Sequence, residues 1–246
     1  SFPEALRAGA AVYARLRALL QAKGEATGLG DEGGFAPNIA RPEDVLTLIV
    51  EAITAAGYPT GRAGVAIALD PAASEFYRDG AYHVAGETLT SDDMIARYEA
   101  IATDFPVWSL EDGLAEGDWD GWQRLTARLG DRVQLVGDDI FVTNPAIITE
   151  AIARHVGTAA LIKVNQIGSI TETLRAQEIC RAAGYAQMIS HRSGETSDTF
   201  IADLAVATGT GQLKTGAPAR GERVAKYNRL LEIAATRPDL PYGLIS

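Results

Sequence analysis

Charged side chains recur at the ends of six short apolar runs, and their order along the chain suggests chemistry at a shared site. The first three runs end in carboxylates and the last three end in cations; these residues are Asp70, Glu111 with Asp112, Asp138 with Asp139, Lys163, His191 with Arg192, and Lys214. A single aspartate after a strand is often a turn residue, because its side chain accepts hydrogen bonds from nearby backbone N–H groups. Six consecutive charged ends are hard to explain in this way, so we interpret them as a functional set.

The residue types indicate which chemistry this set would perform. Carboxylates that face one pocket repel one another unless a cation neutralises them, and oxygen ligands without cysteine or clustered histidine favour Mg²⁺ over zinc or copper. Lys163 would lie near this metal and near Lys214, and these positive neighbours would favour its neutral, basic form. His191, Arg192 and Ser193 offer cationic and hydroxyl groups suited to a phosphate. The pattern therefore predicts metal-assisted removal of a carbon-bound proton from a small, multiply anionic substrate.

The elements that must position these residues alternate regularly. The chain opens with two predicted helices, one that begins at the capping sequence Ser1-Phe2-Pro3-Glu4 and ends at Gly24, and one that ends at Gly57. From Val65 onward a short apolar strand followed by a helix is repeated six times, which favours parallel strands covered by helices. We predict one α/β domain over residues 1–246, a TIM-type (β/α) barrel that is incomplete because six of eight strands are found. The carboxyl ends of barrel strands converge on one face, so the charged ends are expected to surround one pocket.

Composition argues against several other classes of protein. The net charge of −10 and the pI near 4.8 remove the general attraction to nucleic acid or to anionic lipid, so neither is an expected partner. Cys180 is the single cysteine, which excludes an internal disulfide and a cysteine-built zinc site and fits a cytoplasmic location. No apolar run approaches 18 residues, and the first residues lack the basic and apolar regions of a signal peptide. We therefore expect no membrane anchor and no export.

Eight stretches resemble, in the right order, the successive signatures of the enolase family. They are "GDEGGFAPN", "ALDPAASEFY", "SLEDGL", "QLVGDDIFVTN", "LIKVNQIGS", "ISHRSGET", "GQLKTGAPAR" and "RVAKYNRLL". The resemblance runs nearly from end to end and implies the barrel of the enolase superfamily. It also implies a hydro-lyase, phosphopyruvate hydratase, which reversibly dehydrates 2-phosphoglycerate to phosphoenolpyruvate in glycolysis and gluconeogenesis with Mg²⁺ as the cofactor.

The resemblance assigns metal-binding and catalytic roles to five positions. Asp70, Glu111 and Asp138 would be the magnesium ligands. Lys163 would be the base that removes the proton from C2 of the substrate, and Glu32 would be the acid that assists departure of the C3 hydroxyl group. The role of Glu32 follows from the resemblance alone, because an acidic residue in a glycine-rich loop is usually just solvated.

The resemblance also assigns the substrate-binding residues. Arg192 and Ser193 would bind the phosphate, while Lys214 and His191 would contact the substrate, Lys214 near the metal-bound carboxylate. The second carboxylate of each acidic pair is expected to fix the turn or to support a ligand.

Enolases carry further structure ahead of the region that this chain resembles, namely a smaller α+β domain and two barrel strands. The chain opens on two helices and lacks an initiator Met, so we expect it to be the C-terminal barrel portion without the α+β capping domain. For the full-length protein, the resemblance implies a homodimer or a higher homo-oligomer.

Two other functions stay open at this point. The chain could belong to another branch of the superfamily and act as a racemase or cycloisomerase, although those branches usually place their lysines on different strands and do not resemble "SHRSGE". It could also be a non-catalytic enolase fragment that acts only through protein–protein contacts. The sequence leaves open whether the isolated chain is active.

Overall fold

The computed structural model describes residues 1–243, which form two compact units. The first unit combines Ser1–Thr60 with the chain from Met188 onward, and the second unit spans Gly61–Gln187. The organisation of the whole chain as a single domain stays a prediction.

The elements follow the predicted alternation of strands and helices after two opening helices. In chain order they are α1 (Phe2–Ala22), α2 (Pro42–Ala55), β1 (Ile67–Leu69), a 3-10 helix (Ala73–Phe76), β2 (Tyr77–Arg78), β3 (Ala81–Val84), β4 (Glu87–Leu89), α3 (Ser91–Asp104), β5 (Val107–Glu111), α4 (Trp119–Leu129), β6 (Gln134–Gly137), α5 (Pro145–Ala153), β7 (Ala159–Ile162), α6 (Val164–Ile167), α7 (Ile170–Ala182), β8 (Ala186–Ser190), α8 (Phe200–Thr208), β9 (Leu213–Lys214) and α9 (Gly221–Thr236). The six strands predicted from the sequence are β1, β5, β6, β7, β8 and β9.

The second unit is built on four parallel strands in the order β1-β5-β6-β7. Leu110 of β5 lies opposite Leu135 of β6, and Val136 lies opposite Ala159 of β7. All four residues of β7 are buried, as expected for a strand of a parallel sheet that is covered on both faces. Because the strands are parallel, their carboxyl ends lie along the same edge of this sheet.

A small antiparallel sheet, β2-β3-β4, follows β1 and was missed by the sequence analysis, which places no strand between the first apolar run and α3. Two tight turns produce it. Asp79 and Gly80 have φ of 54° and 79°, and Ala85 and Gly86 have φ of 53° and 80°. Two consecutive residues with positive φ match the twist of hairpin strands, so each turn reverses the chain within two residues.

The small sheet stabilises the segment that follows β5. Tyr82 of β3 is fully buried; its hydroxyl donates to Asp118 Oδ2 at 2.8 Å and accepts from the backbone N–H of Ala115 at 3.0 Å. Asp118 also caps the start of α4 by accepting from the N–H of Gly121 at 3.0 Å. Side-chain hydrogen bonds of Tyr82 and Asp118 therefore hold the chain between β5 and α4 in place, in addition to the pairing of β5 itself.

The first unit consists of helices around a short parallel pair. The predicted start of α1 is confirmed: the hydroxyl and the amino group of Ser1 donate to Glu4 at 2.8 and 3.1 Å. Helix α1 packs against α2 and α9, and α8 packs against α9. Within this unit β8 pairs with β9 through Ile189 opposite Leu213. No helix in the described part of the chain has both the length and the apolar character needed to span a membrane.

Candidate active site

The charged residues that end the six apolar runs all lie at strand ends in the structure. Glu111 and Lys214 are the last residues of β5 and β9. The others lie within two residues after their strands and are Asp70, Asp112, Asp138, Asp139, Lys163, His191 and Arg192. Glu32 lies in the loop between α1 and α2.

Three carboxylates of the second unit form a compact group, here called the acidic cluster, which consists of Asp112, Asp138 and Asp139. One carboxylate oxygen of each lies within 4.8 Å of the others. The buried carboxylate of Asp112 accepts the backbone N–H groups of Asp138 and Asp139, each at 2.9 Å. Asp112 has φ of 43°, a conformation that is unfavourable for a residue with a side chain. Asp112 therefore joins the carboxyl ends of β5 and β6 and sets the position of the other two carboxylates.

The acidic cluster brings three carboxyl groups together in a partly buried place. Burial raises the pKa of Asp112 to about 7; the two backbone hydrogen bonds oppose this change, and the charges of Asp138 and Asp139 add to it. Burial and then the charge of Asp138 raise the pKa of Asp139 as well. A nearby cation would relieve this repulsion, and carboxylate oxygens suit a hard divalent cation. The donor set of the acidic cluster can therefore bind a metal ion.

Lys163 contacts the acidic cluster directly, since its ammonium group forms an ion pair with Asp138 Oδ2. The backbone N–H of Lys163 donates to the buried Thr143 hydroxyl at 3.0 Å, and Thr143 donates to Gln166 Oε1 at 2.9 Å. Sequence analysis places cationic neighbours around Lys163, whereas this partner is a carboxylate. An ammonium group cannot accept a proton, so a base role requires that Lys163 first release one and act as the neutral amine.

The predicted ligand set shares only Asp138 with the acidic cluster. Glu111 is 4% exposed at the end of β5. Asp70 is exposed after β1, its Oδ1 accepts from the N–H of Ala72 at 3.2 Å, and its charge is among those that raise the pKa of Asp139. The assignment of Asp70, Glu111 and Asp138 as metal ligands stays a prediction.

The first unit contains a second group of charged and polar residues, here called the Glu32–His191 cluster, which consists of Glu32, His191, Ser193, Lys214 and Arg223. His191 is 2% exposed, and its Nε2 lies 3.2 Å from Glu32 Oε2 without forming a hydrogen bond of good geometry. The Ser193 hydroxyl lies 3.5 Å from Glu32 Oε1. Arg223 contacts the other ring nitrogen of His191, Nδ1, at 2.5 Å.

The electrostatics of this cluster favour an ionised Glu32. The interaction with His191 is the largest cause that lowers the pKa of Glu32 to about 2, and the charges of Lys214 and Arg223 lower it further, whereas burial opposes them. Glu32 is therefore a carboxylate at neutral pH in this structure. A role as proton donor requires that its surroundings change when substrate binds.

The chain matches the family described as "Enolase, C-terminal TIM barrel domain" over residues 1–238. This chain belongs to that family. The match confirms the predicted α/β fold class of the TIM type, and six parallel strands of such a barrel are present among residues 1–243.

Three curated relatives, each described as "Enolase", share more than half of their aligned residues with this enolase-family chain. The enolase of Acidothermus cellulolyticus is 60% identical over 233 residues, that of Mycobacterium leprae is 58% identical over 234, and that of Rubrobacter xylanophilus is 55% identical over 235. Each alignment covers 95% of this chain and 54% of the relative. The chain thus spans about half the length of the curated relatives that it matches.

Sequence analysis missed several residues that hold the candidate site of this enolase-family chain in place. Thr143 and Gln166 support Lys163 and Asp138 through side-chain hydrogen bonds. Arg223 and Lys226 of α9 are each 1% exposed and contact the segment that follows β8. Arg223 and Lys226 are three positions apart in "RVAKYN" and share one helix face, and this spacing could have indicated a common role. No pattern in the sequence indicated a role for Thr143 or Gln166.

Proposed function

We propose that this chain supplies residues for the enolase reaction, the Mg²⁺-dependent and reversible dehydration of 2-phosphoglycerate to phosphoenolpyruvate. The observation that carries the proposal is Lys163 in contact with a cluster of three carboxylates, two of them buried, in a chain of the enolase family. A lysine beside carboxylates that can bind a metal ion is the arrangement needed to remove a proton next to a carboxylate group.

Asp70, Glu111 and Asp138 would hold the Mg²⁺ ion, with Asp112 and Asp139 close to them. The donor set fits this ion because it contains only carboxylate oxygens and because Asp112, Asp138 and Asp139 bring three carboxyl groups within 4.8 Å of one another. When bound, Mg²⁺ would neutralise the substrate carboxylate and so make the adjacent C–H group more acidic.

Lys163 would act as the base that accepts the proton from C2 of the substrate. A cation held by Asp138 would add positive charge next to Lys163 and so favour the neutral amine. Lys163 would first release its own proton to solvent and could then accept the proton from C2. Thr143 would keep the backbone of Lys163 in place during this change, since it accepts the N–H of Lys163 at 3.0 Å.

His191, Ser193 and Lys214 of the Glu32–His191 cluster, together with Arg192, would bind the anionic groups of the substrate. Arg192 and Ser193 would contact the phosphate, and His191 and Lys214 would contact the rest of the substrate. A bound anion would offset the cationic charges that lower the pKa of Glu32, so Glu32 could gain a proton and donate it to the departing C3 hydroxyl.

The pathway, the cellular location and the oligomeric state that the family resemblance implies are proposed as well. The expected setting is glycolysis and gluconeogenesis in the cytoplasm, with the full-length protein as a homodimer or a higher homo-oligomer.

The test uses the purified protein with and without Mg²⁺. Formation of phosphoenolpyruvate from 2-phosphoglycerate is monitored by its ultraviolet absorbance. We expect Mg²⁺-dependent turnover that Lys163→Ala abolishes and that Lys23→Ala, at an exposed lysine after α1, leaves unchanged. Folded protein that gives no turnover would contradict the proposal for this chain. Turnover of acid substrates that lack phosphate would instead favour a racemase or cycloisomerase of the same superfamily.

A further inference from the structure

Helix α9 carries two fully buried cations, Arg223 and Lys226, which the proposed reaction does not use. Buried arginine and lysine side chains are rare unless hydrogen bonds and charges compensate them. Both side chains contact the segment that follows β8, Arg223 at residues 191–193 and Lys226 at residues 195–196.

The guanidinium group of Arg223 donates to acceptors in both loops of the Glu32–His191 cluster. Its Nη1 donates to His191 Nδ1 at 2.5 Å and to the carbonyl of Arg192 at 2.8 Å. Its Nη2 donates to the carbonyl of Ser193 at 2.7 Å and to the carbonyl of Asp31, the residue before Glu32, at 3.0 Å. A single planar group thus fixes the distance between the loop that carries Glu32 and the segment that carries His191.

The contact with Nδ1 determines where the proton of the His191 ring resides. A guanidinium group has only donors, so Nδ1 must be the acceptor and the ring proton must lie on Nε2. Nε2 is buried, has no hydrogen-bond partner of good geometry and lies 3.2 Å from Glu32 Oε2. The Nε2–H group is thereby held as a donor next to the carboxylate of Glu32.

The backbone at Gly216 leaves room for the side chain of Arg223. Gly216 has φ of 85°, and a Cβ atom there would lie 2.9 Å from Arg223 Cδ and 2.7 Å from the carbonyl oxygen of Glu32. The hydroxyl of Tyr227, one turn along α9, donates to the carbonyl of Gly216. The segment after β9 thus packs closely on both Arg223 and the Glu32 loop.

We propose that Arg223 is a positioning residue that fixes the tautomer of His191 and the distance between His191 and Glu32, so that Nε2–H is offered to Glu32 and to an anionic substrate. This inference rests on the proposed function for the role of the substrate. The assignment of the tautomer rests on the Arg223 contacts alone.

Lys226 holds the same segment but cannot set the tautomer. Its ammonium group forms an ion pair with Glu195 and donates to the carbonyls of Thr196 at 2.5 Å and Glu222 at 2.8 Å. Glu195 in turn accepts the N–H of Arg192 at 3.3 Å. Lys226 therefore offers a comparison for Arg223, because it supports the segment without touching the His191 ring.

The decisive experiment is nuclear magnetic resonance of the purified protein with isotope-labelled histidine, since nitrogen chemical shifts separate protonated from unprotonated ring nitrogens. The chain has three histidines, so a variant with His83→Gln and His155→Asn leaves His191 as the only labelled ring. Asparagine suits position 155 because its φ is 56°. We expect an unprotonated Nδ1 and a protonated Nε2. A protonated Nδ1 overturns the proposal, whether or not the protein turns over 2-phosphoglycerate.

The conservative variant Arg223→Lys tests the connection to function. Lysine keeps the charge but cannot reach four acceptors with a planar pair of donors. We expect a mixture of His191 tautomers and a kcat lowered on the order of 100-fold, the cost of misplacing a reacting group by about 1 Å. Lys226→Met is expected to keep the tautomer. Arg229→Gln, also on α9, removes a partly exposed ion pair with Asp203 of α8 and is expected to keep both tautomer and kcat.

Each outcome of this comparison decides the proposal. An Arg223→Lys variant that keeps either the native tautomer or the native kcat overturns it, and so does a Lys226→Met variant that changes the tautomer as strongly as Arg223→Lys does. If Arg223→Lys does not fold, the spectrum of the protein with Arg223 intact still decides the assignment. Absence of turnover in that protein contradicts the proposed function but leaves the tautomer test in force.

Discussion

The acidic cluster and the Glu32–His191 cluster shift the pKa of a carboxyl group in opposite directions. In the acidic cluster, three carboxylates lie within 4.8 Å and burial raises the pKa of Asp112 to about 7. In the Glu32–His191 cluster, the protein's own groups lower the pKa of Glu32 to about 2. In the first cluster Lys163 faces three carboxyl groups, whereas in the second Lys214 and Arg223 act on the single carboxylate of Glu32. We therefore expect substitutions in the first cluster to affect cation binding and substitutions in the second to affect anion binding.

The largest effect is expected at Lys163, which contacts the acidic cluster. Lys163→Met removes the proposed base and should lower kcat by about 10³-fold, within the range that positioned bases contribute. Lys23→Ala serves as the matched control. The measurement is turnover of 2-phosphoglycerate at saturating Mg²⁺, and a residual kcat within a factor of a few of the parent protein would exclude a base role.

Metal affinity should separate the predicted ligands from the supporting carboxylates. Asp138→Asn is expected to weaken Mg²⁺ binding by more than 100-fold, and Asp112→Asn by about 10- to 100-fold, because Asp112 acts by orienting its neighbours. The exposed carboxylate of Asp131 provides the control Asp131→Asn. Calorimetric titration with Mg²⁺ gives the affinities, and equal losses for Asp112 and Asp138 would place Asp112 among the ligands.

Asp70→Asn and Glu111→Gln sharpen the same comparison. Both are predicted to weaken Mg²⁺ binding as strongly as Asp138→Asn, because both belong to the ligand set that the family resemblance implies. If they bind Mg²⁺ normally while Asp139→Asn does not, the ligands are the members of the acidic cluster instead.

Thr143→Val should lower stability without a change in charge. The variant removes a fully buried hydroxyl and leaves the partly buried N–H of Lys163 without its acceptor, which costs about 1–3 kcal/mol in the free energy of unfolding. Thr149→Val, at an exposed position of α5, is the control and should stay within about 0.5 kcal/mol. Urea denaturation measures both, and equal stabilities would show that the Thr143 hydrogen bond is not needed.

The smallest effect concerns acid stability through the Glu32–His191 cluster. The pKa of Glu32 is lowered in the folded state, so its ionised form contributes stability above its ordinary pKa near 4.5, and this contribution is lost as the pH falls toward 2. Glu32→Gln should therefore flatten the dependence of unfolding free energy on pH between about 5 and 2, modestly because the side chain is partly exposed. Glu178→Gln on α7 serves as the control, and an unchanged slope for Glu32→Gln would contradict the lowered pKa.

Much of the framework could be predicted from local patterns. Capping residues and apolar periodicity indicate both opening helices, and short apolar runs indicate all six parallel strands with their charged ends. The β2-β3-β4 sheet was missed because strands of two to four residues are too short for an alternation to stand out. Its turns, with Gly80 and Gly86, were the only available signal.

By itself, the sequence determined the order of the six parallel strands, the residue types at their ends and the family, because each depends on neighbouring residues or on motifs in a fixed order. Only the tertiary structure showed that Asp112 orients Asp138 and Asp139, that Lys163 pairs with a carboxylate, and that Arg223 holds the His191 ring. These contacts join residues 25 to 32 positions apart. They depend on how strands and helices pack, and packing brings together groups whose spacing along the chain carries no signal.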